Sequence, residues 1–357
     1  MIWLAGNTPY GQAEEAILID KGLSTARLLS YFYILNYNEV HDTFLMYKTG
    51  KSSKIKNWKM KDKKVELFLD SGAFSAKTQG VEIDIKQYID FIKEHEDCIE
   101  VYANLDVIGN PAATWKNQLI MEKAGLHPLP VFHYGEDLQW LEKYLARGYE
   151  YMALGGMVKT PNVSVWLDAV WKNHLTDTSG MPKLKVHGFG LTSLSLMLRY
   201  PWYSVDSTSW VVTGRLGSIY IPQLKNGKWI YDDTSWKIAV SSQSPSLKES
   251  GKHINTLPPL QKKIVMDYIK EKGYCLGKSE FKMESQSYEL QENEKWSEKK
   301  PKDKHSKRQV EIIIEAGICN MYQLRDEMNI IYFLDLEKNM PKWPWKFEMK
   351  ETLKSFF

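Results

Sequence analysis

Five apolar runs end in residues that can do chemistry, and a sixth ends in a glycine pair. Leu67-Phe68-Leu69 ends at Asp70, and Val101-Tyr102-Ala103-Asn104-Leu105 ends at Asp106. The run up to Phe132 ends at His133, Leu184-Lys185-Val186 at His187, and Trp202-Tyr203-Ser204-Val205 at Asp206. Met152-Ala153-Leu154 leads into Gly155-Gly156. Short apolar runs of this kind read as buried strands, and parallel α/β folds gather their active sites at strand C-termini. One strand-end Asp is most simply the cap of the next helix. Capping explains three carboxylates, two imidazoles and a glycine pair poorly, because polar groups gathered at one mouth are costly without partners. Two chemistries suit the set. Asp and His can ligate a metal for assisted hydrolysis, or one carboxylate can attack an anomeric carbon while another manages protons.

The elements between these positions set the expected frame. From Val65 onward, strands alternate with helices at about 85–95, 111–123, 137–146, 163–174 and 193–199. Such alternation implies a parallel sheet. Six strand–helix units, an N-terminal strand at Ile2-Trp3-Leu4-Ala5 and one later strand bring the count near eight. A (β/α)8 TIM-like barrel is the first expectation and a doubly wound open sheet the second. Residues 11–35 read as two helices separated by Gly22 and Ser24. After Asp206, the strands Ser218–Pro222 and Lys228–Tyr231 flank Asn226-Gly227, a hairpin signal. Residues 241–256 read as loop and Pro258–Lys272 as a helix. The expected domains are a barrel over 1–283 with the hairpin inserted, a charged linker over 284–308, and a C-terminal helical segment over 309–357.

Composition narrows the class. The chain has 357 residues, 43% hydrophobic and 25% charged, with a formal net charge of +3. That balance is too even to indicate a nucleic-acid partner by itself. Locally, eight lysines and one acid, Asp62, lie between Lys48 and Lys64 around Trp58. Lys54, Lys56 and Lys59 are the core of this stretch, which reads either as a phosphate-binding loop with a stacking aromatic or as a solvated loop. Cys98, Cys275 and Cys319 stand far apart, which argues against disulfides and a cysteine zinc site. No apolar run reaches membrane-spanning length and no leader pattern is present, so a cytoplasmic protein without a membrane partner is expected. No Gly-x-Gly-x-x-Gly or P-loop follows a strand, which argues against a nucleotide cofactor.

The order of these segments resembles the tRNA-guanine transglycosylase superfamily of (β/α)8 barrels. Asp70-Ser71-Gly72-Ala73-Phe74-Ser75 is similar to that family's Asp-Ser-Gly-Gly-Phe-Gln motif. Asn104-Leu105-Asp106 resembles its base-reading aspartate segment, and Ala153-Leu154-Gly155-Gly156-Met157 its Ala-Leu-Gly-Gly-Leu strand end. Val186-His187-Gly188-Phe189-Gly190 parallels its Leu-Met-Gly-Val-Gly strand, and Val205-Asp206-Ser207 its nucleophile strand. The resemblance spans roughly Leu67 to Arg215. It implies Asp206 as nucleophile on C1′ of a guanosine nucleotide and Asp70 as proton carrier. It implies that Asp106 and the Gly155-Gly156 amides read the base, that Phe74 and His187 sandwich it, and that Ser71 and His133 lie beside it. Arg215 is assigned to a phosphate.

Departures from the family shape the rest of the expectation. The family's tRNA-modifying members carry a Cys-x-Cys-x-x-Cys zinc site that this chain lacks. Zinc-less relatives in phages and bacterial genomic islands insert 7-deazaguanines into DNA. With the lysine-rich stretch and the distinct tail, that branch is the better match. The expected activity is replacement of guanine in DNA by a 7-deazaguanine such as preQ0, without redox cofactor or metal, in the cytoplasm, or in the host cytoplasm if phage-encoded. A homodimer is compatible with it. The rivals are a tRNA-guanine transglycosylase, a non-catalytic nucleic-acid-binding barrel and a metal-dependent hydrolase.

Overall fold

The computed structural model describes residues 1–6, 11–61, 64–158, 160–191, 193–303 and 305–349. The chain divides into two compact units, Met1–Thr208 with Glu337–Phe357, and Ser209–Leu336. The boundary falls at 208/209, directly after the strand that carries Asp206, and not at 283.

Among the described residues, the first unit holds eight strands: β1 (Ile2–Ala5), β2 (Ala26–Ser30), β3 (Glu66–Asp70), β4 (Val101–Tyr102), β5 (Val131–His133), β6 (Tyr151–Gly155), β7 (Lys185–Gly188) and β8 (Ser204–Ser207). Helices α1 (Gln12–Asp20), α2 (Tyr31–Asn36), α3 (Asn38–Thr49), α4 (Ala73–Thr78), α5 (Ile85–His95), α6 (Pro111–Lys123), α7 (Leu138–Ala146), α8 (Val163–Val170) and α9 (Leu194–Arg199) fall between them. The strands form one parallel sheet in the order β4-β3-β2-β1-β8-β7-β6-β5, so consecutive strands are neighbours and β1 pairs with β8. Between β4 and β5 there is a single parallel bridge, Ala103 to Leu129, with hydrogen bonds from Asn104 N to Leu129 O and from Leu129 N to Tyr102 O, each 2.9 Å. The sheet curls so that Trp3, Leu28, Phe68, Ala103, Val131 and Ala153, from six regions of it, meet in one buried cluster. Phe68 is fully enclosed there, a burial worth about 1.5–3 kcal/mol.

Local sequence explains most of these elements. Asn110 caps α6 by accepting from Ala113 N, Pro111 opens it, and Gly125 follows its end. Asp84 and Asp137 cap α5 and α7 in the same way. The misread strand of this unit is β2, which lies within the stretch expected to be helical. All its residues up to Leu29 are buried because the strand is covered on both faces. Its Arg27 is accommodated by a buried ion pair with Glu15 at 2.6 Å, and Ser24 donates to the same carboxylate.

The second unit has its own core of Ile219, Ile221, Ile238, Val265, Ile269 and Met328. It contains α10 (Ser209–Arg215), β9 (Ser218–Ile221), β10 (Gln223–Lys225), β11 (Lys228–Ile230), β12 (Trp236–Ala239), α11 (Pro259–Glu271), β13 (Lys278–Glu284), β14 (Glu294–Trp296) and β15 (Arg308–Glu315), and most of α12 (Tyr322–Asn339). The Asn226-Gly227 turn is present, with φ of 51° and 73°, but it joins β10 to β11, while β9 pairs with β12. The stretch expected as a linker, 284–308, contains β14 in the antiparallel sheet β13-β15-β14. The expected C-terminal helical segment begins instead in strand β15; residues 350–357 lie outside the described residues. Charged cross-strand partners such as Lys295 and Glu311, directly opposite and 3.4 Å apart, help hold the polar outer strands to β15. Among the described residues, no helix is long and apolar enough to cross a membrane.

Candidate active site

All six strand-end positions lie at the C-terminal end of the one parallel sheet. Asp70, His133 and Gly155 are the last residues of β3, β5 and β6, and His187 and Asp206 are the third residues of β7 and β8. Asp106 follows β4 by four residues. The arrangement falls into two hydrogen-bonded groups with Asp70 facing both.

The first group is built on Asp106. Its Oδ1 accepts from Ser71 Oγ at 2.8 Å, and its Oδ2 lies 3.0 Å from His133 Nε2. Glu136 closes the other side of His133: Oε1 lies 3.3 Å from Nδ1, and Oε2 accepts from the His133 backbone N–H at 3.0 Å. Burial opposes a charge on His133, but the hydrogen bonds to Asp106 and Glu136 outweigh it and raise its pKa to about 9. His133 is therefore a buried imidazolium at neutral pH, clamped between two carboxylates. Its ring packs against Gly155, where a Cβ would lie 2.7 Å from His133 Cδ2. The glycine at that strand end is thus required by the imidazole. Its carbonyl accepts from Tyr134 N at 3.0 Å, and Gly156 follows it on the exposed side of the chain.

The second group is built on Asp206. Its Oδ1 accepts from Gly190 N at 2.8 Å and lies 3.2 Å from His187 Nε2. Among the described residues, no hydrogen-bond donor falls on Oδ2. His187 Nδ1 lies 2.6 Å from Ser204 Oγ, which lies 2.7 Å from Tyr151 Oη. His187 is 0% exposed, with its ring between Phe68 and Phe189 at centroid distances of 4.7 and 4.6 Å. Burial pushes its pKa down against the pull of Asp206, so it is neutral.

Among the described residues, no cation offsets the charge of Asp70. Burial, then the charges of Asp106 and Asp206, raise its pKa from 3.8 to about 7, against the pull of the Gly72 and Ser71 backbone N–H groups. Gly72 N donates to Asp70 Oδ2 at 3.0 Å. That turn needs glycine twice over: φ is 79°, and a Cβ would lie 2.3 Å from Ser30 Oγ and 2.5 Å from Phe32 Cβ. A carboxyl titrating near neutrality, facing two other carboxylates, can both give and take a proton.

Several expected residues have a different place. His187 is enclosed and both its nitrogens are engaged, so it offers no face to a base; it holds Asp206. Phe74 does stand free, 69% exposed at the start of α4. Both oxygens of Asp106 already have one donor each, which leaves a second lone pair on each for a ligand. Arg215 ends α10 in the second unit, exposed. Lys54, Lys56 and Lys59 are exposed, and Lys54 lies 3.3 Å from Asp42. Gln12, at the start of α1, accepts from Ser52 Oγ at 2.5 Å and from Lys54 N at 3.1 Å, fastening this turn to the helix end that follows β1. Trp58, partly buried, packs on the core and donates to Asp20 Oδ2 at 3.2 Å. Asp62 and Lys63 lie outside the described residues.

Sequence reasoning missed Glu136, Ser204 and Tyr151. The signals were available. Period-2 alternation puts Ser204 on the same side of its strand as Asp206, and Tyr151 on that of Gly155, while Glu136 stands three residues after His133. Among the described residues, no group of three His, Cys, Asp or Glu side chains is arranged to hold a metal ion. No known family model matches the chain, and no curated protein matches it either, so the functional reading rests on these residues and their geometry.

Proposed function

We propose that the chain is a base-exchange transglycosylase that replaces guanine in DNA with a 7-deazaguanine of the preQ0 type, on a (β/α)8 barrel. The observation that carries the reading is the pairing of two unlike carboxylates at one mouth. Asp206 has one oxygen held by two donors and one uncommitted, and Asp70 titrates near pH 7 within range of its charge. Asp206 Oδ2 attacks C1′, the C1′–N9 bond breaks, and guanine leaves with the bonding electrons and takes the Asp70 proton. The incoming base then gives a proton to Asp70, and its nitrogen attacks C1′ to release Asp206. The covalent glycosyl-enzyme retains the energy of the cleaved bond, so the cycle needs no cofactor.

Other features agree with it. The β1–β8 pairing, the Ala103–Leu129 bridge and the shared interior cluster support closure of the sheet into a barrel. Phe74 at the mouth suits stacking on an extruded base. The resemblance in five ordered motifs supports guanine as the base, and Lys54, Lys56 and Lys59 suit a phosphate backbone.

The test is incubation of duplex DNA, single-stranded DNA and tRNA with labelled 7-deazaguanines, followed by nucleoside mass spectrometry. Label in deoxynucleosides is the expected result. Label only in tRNA nucleosides would move the substrate to RNA, and no label in any nucleic acid would remove the proposal.

A further inference from the structure

Four side chains form a continuous line running inward from the mouth: Tyr151 on β6, His187 on β7, and Ser204 and Asp206 on β8. We propose that Tyr151, Ser204 and His187 form a positioning relay that fixes His187 as its neutral Nε2–H tautomer and thereby aims Oδ2 of Asp206 at the substrate. The inference rests on Asp206 as the attacking group and adds how the protein holds it.

The direction of the line follows from counting protons. Asp206 is a carboxylate and offers only acceptors, so the 3.2 Å contact needs hydrogen on His187 Nε2. A neutral imidazole then leaves Nδ1 as an acceptor, and the 2.6 Å contact makes Ser204 the donor. Ser204 has spent its only hydrogen, so at 2.7 Å it accepts from Tyr151. The reverse direction would place a lone pair of Nε2 against a carboxylate oxygen. An imidazolium would satisfy the distances, but it would bury a full charge in an aromatic sleeve of Phe68 and Phe189 with no exposure. The charged and titratable groups acting on His187 are Asp206 and the Met1 ammonium. Tyr151 in turn is held protonated by burial, with Tyr203 and Asp206 adding to the effect.

Register makes the relay a consequence of the sheet. His187 and Ser204 are direct partners across the β7–β8 ladder, and Ser204 and Asp206 share a face because they are two residues apart. With Gly190 N–H, His187 gives Oδ1 two donors and fixes the carboxylate plane. Oδ2 is then the oxygen free to attack, and reactions between held groups are sensitive to small misplacement, about 100-fold for an ångström.

The experiment has one arm that needs no substrate and one that does. Nitrogen-15 NMR of histidine-labelled full-length protein, with the His187 signals assigned from a His187→Gln variant, reads the tautomer directly. The expected result is a neutral ring protonated at Nε2, and loss of that single state in Ser204→Ala. An Nδ1–H tautomer or an imidazolium at neutral pH overturns the relay whatever the enzyme does. In single-turnover adduct formation, Ser204→Ala should be slower by about 10- to 100-fold, with nucleic-acid affinity changed less than about twofold. His187→Gln, which keeps a donor for Oδ1, should be faster than His187→Leu. Wild-type rates in Ser204→Ala together with an unchanged nitrogen spectrum would also overturn it. If wild type forms no adduct with any nucleic acid, the proposed function fails, and the spectrum still decides the relay.

Discussion

Replacing Asp70 by asparagine should make the protein more stable at alkaline pH and leave it nearly unchanged at acid pH. Asp70 has its pKa raised from 3.8 to about 7, by burial first and then by Asp106 and Asp206. A carboxyl whose folded value exceeds its unfolded value binds its extra proton only in the folded state. Its favourable contribution is full below pH 3.8 and is lost as pH rises through about 7. Three units at 1.36 kcal/mol each give a ceiling of about 4 kcal/mol for the penalty of ionising Asp70. The carboxyl is only half-buried at the mouth, so solvent screening reduces the working figure to about 2 kcal/mol. Asparagine carries no charge at any pH and can still accept from Gly72 N. Urea unfolding of wild type and Asp70→Asn at pH 4.5 and pH 8.5 should therefore show a gain of about 2 kcal/mol for the variant at the higher pH and little at the lower. An equal loss at both values would refute the reasoning, because it would mean that the carboxylate is not held against its own charge.

Three further predictions concern the site and its support. We predict that Asp206→Asn abolishes guanine release and the covalent adduct while retaining non-covalent binding, and that Asp70→Asn loses turnover but still permits some adduct; denaturing gels with labelled substrate separate them, and an adduct that survives only in Asp206→Asn would reverse the roles. Neutralising Lys54, Lys56 and Lys59 together should weaken DNA binding and reduce its log–log salt slope by up to about 3, since each phosphate contact contributes about 0.9; an unchanged slope would take the loop out of the interface. Glu15→Gln leaves Arg27 as an uncompensated buried charge in β2, so a loss of about 3–5 kcal/mol is expected in chemical denaturation; a loss under about 1 kcal/mol would show that the pair is not needed to hold that strand.

How far the fold was legible in the sequence depended on whether each signal was local. Helix α6 carries its own start and stop in Asn110, Pro111 and Gly125, so its range follows from the sequence alone. β2 does not. Ala26-Arg27-Leu28-Leu29 fits a helix as well as a strand, and what makes it a strand is parallel pairing with β1 and β3 and an ion pair to a residue twelve positions away. The sheet β13-β15-β14 was invisible for a related reason: its outer strands are charged, and their support comes from pairing with β15, which no window of sequence displays. At the site, the strand-end positions were legible because apolar runs mark where buried strands stop. Which of them face a ligand was not, because His187 and His133 occupy equivalent strand ends and differ only in what surrounds them.

Those surroundings sort three chemically identical carboxylates into different capacities. Asp106 faces an imidazolium that stays charged through neutrality, because Glu136 adds a second anion on its far side. Among the described residues, Asp206 faces neutral donors, the His187 ring and the Gly190 amide, which fix one of its oxygens. Asp70, among the described residues, faces backbone N–H groups and the other two anions, and it exchanges its proton near pH 7. A protonated Asp70 beside an anionic Asp206 is the starting state that acid-assisted departure of a base requires. Transfer of that proton leaves Asp70 ready to act as the base for the incoming one. In the proposed reaction Asp206 would lose its negative charge in the glycosyl ester at the same stage, which would remove one of the two repulsions that raise Asp70. On that proposal the pair would be self-timing: forming the ester would make the ionised state of Asp70 easier to hold, and releasing the ester would restore its affinity for a proton.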